Sequence, residues 1–284
     1  MIERVGVVGC GLMGSGIAEV CARAGHDVVV REVNDAALDA GRSRLLASLA
    51  RGVRAGKLTE EQRDEAVARL RFTTDLEEFA DRQIVIEAVV EDEAQKTSVF
   101  RALDRIVTDP DAVLATNTSS IPVMKLGVAT ERPAQVIGIH FFNPVPVLRL
   151  VEIVPSLLTA QTTVDAAREF AAESLGKRVI LCKDRAGFVV NALLVPYLLS
   201  AIRMMESGFA SAEDIDTGMV EGCSHPMGPL RLSDLIGLDT ILAIAESLYT
   251  EFRQPLYTPP ALLSRMVEAG LLGRKTGRGF YDYA

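Results

Sequence analysis

Arg4-Val5-Gly6-Val7-Val8-Gly9-Cys10-Gly11-Leu12-Met13-Gly14 opens the chain, and Asp27-Val28-Val29-Val30-Arg31-Glu32 follows it closely. The first five residues read as a short buried strand, and the glycines after them as a tight turn. Ser15 to Ala24 reads as a helix, punctuated by Gly25-His26, and Asp27 to Arg31 as a second strand closing on an acid. Strand, glycine turn, helix, strand and acid within about 30 residues is the pattern of a dinucleotide-binding unit. Glycines allow the backbone to approach a pyrophosphate, and the N–H groups of a helix start favour its charge. Gly9, Cys10, Gly11, Leu12, Met13 and Gly14 are therefore expected to wrap a pyrophosphate. Glu32 can accept hydrogen bonds from a ribose diol and would repel a 2′-phosphate, which predicts NAD; Arg31 beside it leaves some NADPH use open. A GxGxxG alone is a weak signal. Its flanking elements give it weight.

Downstream, Asp35 to Leu70 reads as two helices broken near Ala55-Gly56-Lys57-Leu58-Thr59, with Thr59 as the cap of the second. This insertion carries Arg42, Arg44, Arg51, Arg54, Lys57 and Arg63 in a chain of net charge −8. Such a run is either a solvated helical face or a docking surface for a phosphate-bearing substrate. Short strands are expected at Phe72-Thr73, Gln83 to Val89 and Val113 to Thr116, with a helix from Ala94 to Ile106 that puts Lys96 in its first turn. Polar residues just past the strand ends of a parallel sheet line its ligand crevice. Glu91, Asn117, Ser119 and His140 are expected there, at four successive strand ends.

His140 is one of three histidines and sits in the apolar run Val136 to Phe142; Glu152 interrupts a second apolar run, Leu148 to Val154. A core histidine satisfied by a chance acid would look the same. A neutral imidazole held by a buried carboxylate is also a general base matched to neutral pH. Beyond Glu152 come a helix, Thr162 to Leu175, a strand, Arg178 to Leu181, and a join at Lys183 to Gly187. The remainder reads as helical: Phe188 to Glu206, Ala212 to Val220, Gly237 to Phe252 and Pro260 to Gly270. Asn191 is a polar residue early in the first of these, either a packing amide or a site residue.

The fold expected is an α/β Rossmann-type domain, 1–184, carrying a helical hairpin insertion at 35–70, followed by an all-α domain, 185–284. A hydrophobic content of 49% supports two cores, and the acidic balance argues against nucleic acid. Cys10, Cys21, Cys182 and Cys223 lack metal-type spacing and read as reduced thiols, so no metal is expected. No leader and no membrane-length apolar run is read, which predicts a cytoplasmic protein.

The glycine turn, Val85-Ile86-Glu87-Ala88-Val89-Val90-Glu91, Asn117-Thr118-Ser119-Ser120, His140-Phe141-Phe142-Asn143-Pro144-Val145-Pro146, Gly187-Phe188-Val189-Val190-Asn191 and Gly273-Arg274-Lys275-Thr276-Gly277-Arg278-Gly279-Phe280-Tyr281 occur in this order. Together they resemble the L-3-hydroxyacyl-CoA dehydrogenase family along essentially the whole chain, and within it the bacterial 3-hydroxybutyryl-CoA enzymes. The resemblance implies hydride transfer between C3 of a short 3-hydroxyacyl-CoA and NAD, with His140 as base and Glu152 orienting it. It implies substrate contacts from Ser119 and Asn191, and cofactor contacts from Glu32, Glu91, Lys96, Asn117, Ser119, Asn143 and Lys275. Ser48 matches a CoA contact, but the lysine common nearby is Ala55 here, so Arg51, Arg54 or Lys57 is expected to replace it. Ala192 stands where longer-chain relatives often carry arginine. The resemblance also implies a homodimer formed through the helical domain. Rival readings are a hydrolase triad of Ser119, His140 and Glu152, a same-fold dehydrogenase acting on an acyl-carrier-protein thioester or a sugar acid, and a non-catalytic scaffold.

Overall fold

A computed structural model describes residues 2–283, which divide into two compact units, 2–185 and 186–283. The first is built on the strand–turn–helix unit at its start. β1 (Arg4–Val8) leads through the glycine turn into α1 (Leu12–Arg23), and β2 (Asp27–Arg31) returns parallel to β1. The helix begins at Leu12 rather than Ser15, because Gly11 already serves as its N-cap residue. The insertion forms α2 (Asp35–Arg54) and α3 (Glu60–Ala68). Thr59 caps α3 in a reciprocal box with Gln62, each side chain taking up the other's backbone N–H.

The sheet then builds outward. β3 (Leu70–Thr73) pairs with β2, while β4 (Ile84–Glu87) pairs with the opposite side of β1. α4 (Glu93–Ile106), β5 (Val113–Thr116), α5 (Val123–Gly127) and β6 (Val136–Phe141) continue the series. β7 (Leu150–Pro155) runs antiparallel to β6, α6 (Gln161–Glu169) crosses back, and β8 (Arg178–Leu181) lies parallel to β7. The segment expected as one helix from Thr162 to Leu175 ends in a π-helical turn, Phe170–Ser174. The eight strands lie in the order β3-β2-β1-β4-β5-β6-β7-β8. The order reverses between β1 and β4, and a crevice opens beyond the strand ends at such a point. Strands covered on both faces need apolar side chains throughout, so Val5, Val7, Val28, Val30, Ile84, Ile86, Ala115, Ile137 and Ile139 lie in one core.

The second unit holds α7 (Val190–Glu206), α8 (Ala212–Cys223), α9 (Pro229–Ile236), α10 (Leu238–Phe252) and α11 (Ala261–Glu268). Its own core gathers Leu198, Leu199, Ile202, Leu230, Ile241, Leu248 and Leu263. The helix α9 was not expected from the sequence. Its first turn is capped from outside: buried Asp216, on α8, accepts the N–H groups of Leu230 and Arg231. The closing Gly-Phe-Tyr segment docks on Asp234, whose carboxylate accepts the N–H groups of Phe280 and Tyr281.

Candidate active site

The glycine turn is shaped by what surrounds it. Gly9 has φ of +96°, and a β-carbon there would lie 2.6 Å from the carbonyl oxygen of Ala88. At Gly14 a β-carbon would lie 1.9 Å from the carbonyl oxygen of Gly9, so this helix turn closes on the loop only without one. Gly11 has open space where its side chain would be, α1 carries no side-chain cap, and its first turn holds no acid. Leu12 stands exposed beside the turn, Met13 is half-buried, and Cys10 is buried. This is a cradle that a pyrophosphate fits. Glu32 closes it from just past β2, accepting the N–H of Cys10 at 2.6 Å and that of Val33 at 3.0 Å. Arg44, on α2, donates to the carbonyl of Cys10 at 2.9 Å. The Cys10 thiol is inert: burial, reinforced by Glu32 and opposed by Arg44, pushes its pKa up to about 12. Arg31 donates to the carbonyl of Thr74.

Further along the sheet edge, His140 and Glu152 face one another across the β6–β7 ladder. The imidazole is 4% exposed and the carboxylate fully buried, with Nδ1 to Oε2 at 2.7 Å. An ionised carboxylate only accepts, so Nδ1–H donates to Glu152 and Nε2 keeps its lone pair. Ser119 Oγ lies 3.0 Å from that Nε2. Phe142 packs edge-on against the ring at 4.6 Å between centroids. Asn117 is buried and turned into the strand, its Oδ1 accepting the N–H of Phe141. His140 itself lies inside β6, not past its end. Asn117 and Ser119 both follow β5, so the expected residues come from three strands rather than four.

Glu91 holds the loop after β5. One of its oxygens accepts the hydroxyl of Thr118, the N–H of Ser119 at 2.9 Å, the N–H of Ser120 at 3.1 Å and the hydroxyl of Ser120 at 3.0 Å. Desolvation pushes its pKa up, but the Lys96 ammonium and these donors outweigh it and hold the carboxyl below its ordinary value. Lys96 is fully buried, its Nζ 3.3 Å from Glu91 and 2.7 Å from Glu87. Sequence reasoning passed over Glu87 as a site residue. Glu87 ends the apolar strand Ile84–Glu87, and only the packing of Lys96 and Thr116 against it sets it apart from the rest of that strand.

Asn143 is exposed two residues past β6. Ser48 is half-buried on α2, with Arg51 and Arg54 exposed on the same helix. Lys57 lines the rim of a cavity of about 650 Å³ with Arg23, Arg69, Arg149 and Lys177; neither Ser119 nor His140 lines it. Asn191 and Lys275 belong to the second unit. Asn191 is the second residue of α7, and Lys275 donates to both oxygens of Asp239 at 2.6 Å. Among the described residues no group of histidine, cysteine and carboxylates is arranged to hold a metal.

The line from Ser119 through His140 to Glu152 also has the form of a nucleophilic triad. A serine nucleophile needs N–H donors beside it for the oxyanion. Here the N–H groups of Ser119 and Ser120 are both committed to Glu91. With a dinucleotide cradle on the same sheet edge, the fold and site define a nicotinamide-dependent dehydrogenase. Residues 4–185 match the NAD-binding domain of 3-hydroxyacyl-CoA dehydrogenase and residues 187–283 its C-terminal domain. The chain belongs to the 3-hydroxyacyl-CoA dehydrogenase family, and its cofactor is NAD. It is 64% identical to the 3-hydroxybutyryl-CoA dehydrogenase of Mycobacterium tuberculosis over 99% of both chains. The crystal structure of (S)-3-hydroxybutyryl-CoA dehydrogenase from Ralstonia eutropha superposes with a TM-score of 0.94, at 46% identity over the whole of both chains. Human mitochondrial hydroxyacyl-coenzyme A dehydrogenase is 38% identical over all of this chain and 92% of its own.

Proposed function

We propose that this protein interconverts short-chain L-3-hydroxyacyl-CoA, 3-hydroxybutyryl-CoA first, and the 3-ketoacyl-CoA. The observation that carries the reading is the hydrogen-bonded line Ser119–His140–Glu152 at the edge of an NAD-binding sheet. Bound NAD supplies the acceptor for the C3 hydride. His140 Nε2 takes the proton of the C3 hydroxyl, and the imidazolium so formed stays paired with Glu152 through Nδ1–H. The Ser119 hydroxyl, within reach of Nε2, donates to the reacting oxygen and fixes it beside the base. In the reverse direction Nε2–H returns the proton to the ketone. On the cofactor side, the Gly9–Gly14 turn, Glu32, Glu91, Asn143 and Lys275 hold NAD, with Lys96 and Asn117 behind them. Ser48, Arg51, Arg54 and Lys57 serve the CoA nucleotide, and Asn191 the acyl end.

The protein acts as a homodimer through its helical unit, where Leu193 (73% exposed) and Phe209 (79% exposed) offer apolar surface. Its four unpaired cysteines support a reducing, cytoplasmic setting, and no helix among the described residues is long and apolar enough to cross a membrane. NADH consumption with acetoacetyl-CoA, beside His140→Ala and an acetoacetate control, tests the reading. Turnover that needs the CoA moiety and collapses in the variant supports it. NADH binding without turnover of acetoacetyl-CoA would move the acyl-carrier-protein thioester or sugar-acid substrates to the front.

A further inference from the structure

The residues that hold Ser119 against His140 trace back to a carboxylate wholly withdrawn from solvent. Glu87 ends β4 and is fully buried. Its Oε1 accepts the N–H of Val89 at 2.7 Å and the ammonium of Lys96 at 2.7 Å; its Oε2 accepts the hydroxyl of Thr116, at the end of β5, at 2.7 Å. Lys96 is equally buried and reaches Glu91 on its other side at 3.3 Å. Glu91 then gathers the hydroxyl and N–H donors of residues 118 to 120, and Ser119 Oγ meets His140 Nε2. Carboxylate, ammonium, carboxylate and loop form one continuous line from the middle of the sheet to the imidazole.

We propose that Glu87 is the positioning residue of this site: it fixes Lys96 between two carboxylates, so that Glu91 keeps the Ser119 loop in register with His140. This rests on the dehydrogenase reading above. The physical reason lies in the sharing of one cation. With Glu87 ionised, Lys96 sits closer to Glu87 than to Glu91, and the loop-facing oxygen of Glu91 stays with its four donors. Neutralise Glu87, and Glu91 becomes the only carboxylate for a buried ammonium that must be paired. Glu91 is then drawn inward, and the loop loses the acceptor that organises it. Thr116 ties the same carboxylate to β5, from which the loop departs, so the two strand ends move as one.

The test is a double-mutant cycle of Glu87→Gln and Ser119→Ala, read as kcat and KM for acetoacetyl-CoA reduction. Glu87→Gln in the wild-type background is expected to lower kcat by about tenfold or more, with KM changed less than about threefold. In the Ser119→Ala background the same substitution is expected to cost less than about threefold, because the group it positions is gone. Multiplicative losses would mean a general structural role and would overturn the proposal. Should Glu87→Gln fail to fold, Thr116→Val enters the cycle in its place, removing one neutral donor to the same carboxylate and leaving the ion pair. Amide hydrogen exchange needs no substrate and keeps this question apart from the substrate assignment. Exchange at residues 118–121 is expected to quicken about tenfold in either variant while β1 is unchanged. Unchanged exchange at 118–121 would overturn the proposal even if wild type left acetoacetyl-CoA untouched.

Discussion

At the scale of single residues, the site depends on what Glu152 and His140 each give up by burial. Glu152 is wholly withdrawn from water and accepts Nδ1–H of His140; in the proposed mechanism it also faces the imidazolium when that forms. A glutamine there can still accept that hydrogen bond but carries no charge. Glu152→Gln is expected to lower kcat by about a hundredfold or more, within the usual range for disabling a general base, while NADH affinity stays within about threefold. Steady-state kinetics beside NADH fluorescence titration checks it; a kcat near wild type would remove Glu152 from the mechanism. His26 is the contrasting histidine, buried against Phe170 with Nε2 lacking a partner. Burial pushes its pKa below 6.5, a hydrogen bond to the Ile2 backbone opposes this, and Arg69 adds to it. A depressed histidine pKa means the unfolded chain takes up the proton first. Its contribution is therefore complete above pH 6.5 and is lost as pH falls from there through the lower folded value. Melting temperatures at pH 7.5 and 5.5 should differ less in His26→Leu than in wild type.

At the scale of elements, two contacts decide whether the hairpin α2–α3 serves the cofactor turn. The first is local: the Thr59–Gln62 capping box sets where α3 begins. Thr59→Ala is expected to cost about 1 kcal/mol in chemical denaturation and to leave NADH binding unchanged. The second is tertiary. A β-carbon at Gly41, on α2, would lie 2.6 Å from both Cβ and Sγ of Cys10. Gly41→Ala must push α2 away from the glycine turn and disturb the Arg44 contact with the Cys10 carbonyl. NADH affinity is expected to fall about tenfold or more, the reverse of the Thr59 result; equal NADH affinity would show the helix and turn to be independent.

At the scale of the whole molecule, two cores of different kinds divide the work. The first unit, with its strand core, holds His140, Glu152 and the glycine turn; Asn191 and Lys275 lie in the second unit, outside its helix core. The exposed apolar residues of the helical unit predict a dimer at micromolar concentration. Light scattering should give twice the 30.6 kDa chain mass, and Leu193→Asp with Phe209→Asp should return it to one. A wild-type mass of one chain would sink the dimer.

The sequence by itself determined the parts governed by short range. Short apolar runs placed the strands, glycine at Gly9 and Gly14 placed the turn, and Thr59 announced its helix, because each signal acts within a few residues. His140 and Glu152 stood out as polar residues interrupting apolar runs, Ser119 as a residue past a strand end, and the motif resemblance supplied the roles expected of them. Tertiary structure alone decided what depends on partners far along the chain. The helix α9 is capped by an aspartate from another helix, fourteen residues before the N–H it accepts, so no local signal marks it. Glu87 read as one more residue of a buried strand until Lys96 and Thr116, 9 and 29 residues away, closed on it. A buried charge is tolerable only with such partners, and which partners arrive is settled by how strands and helices pack, not by their spacing in sequence.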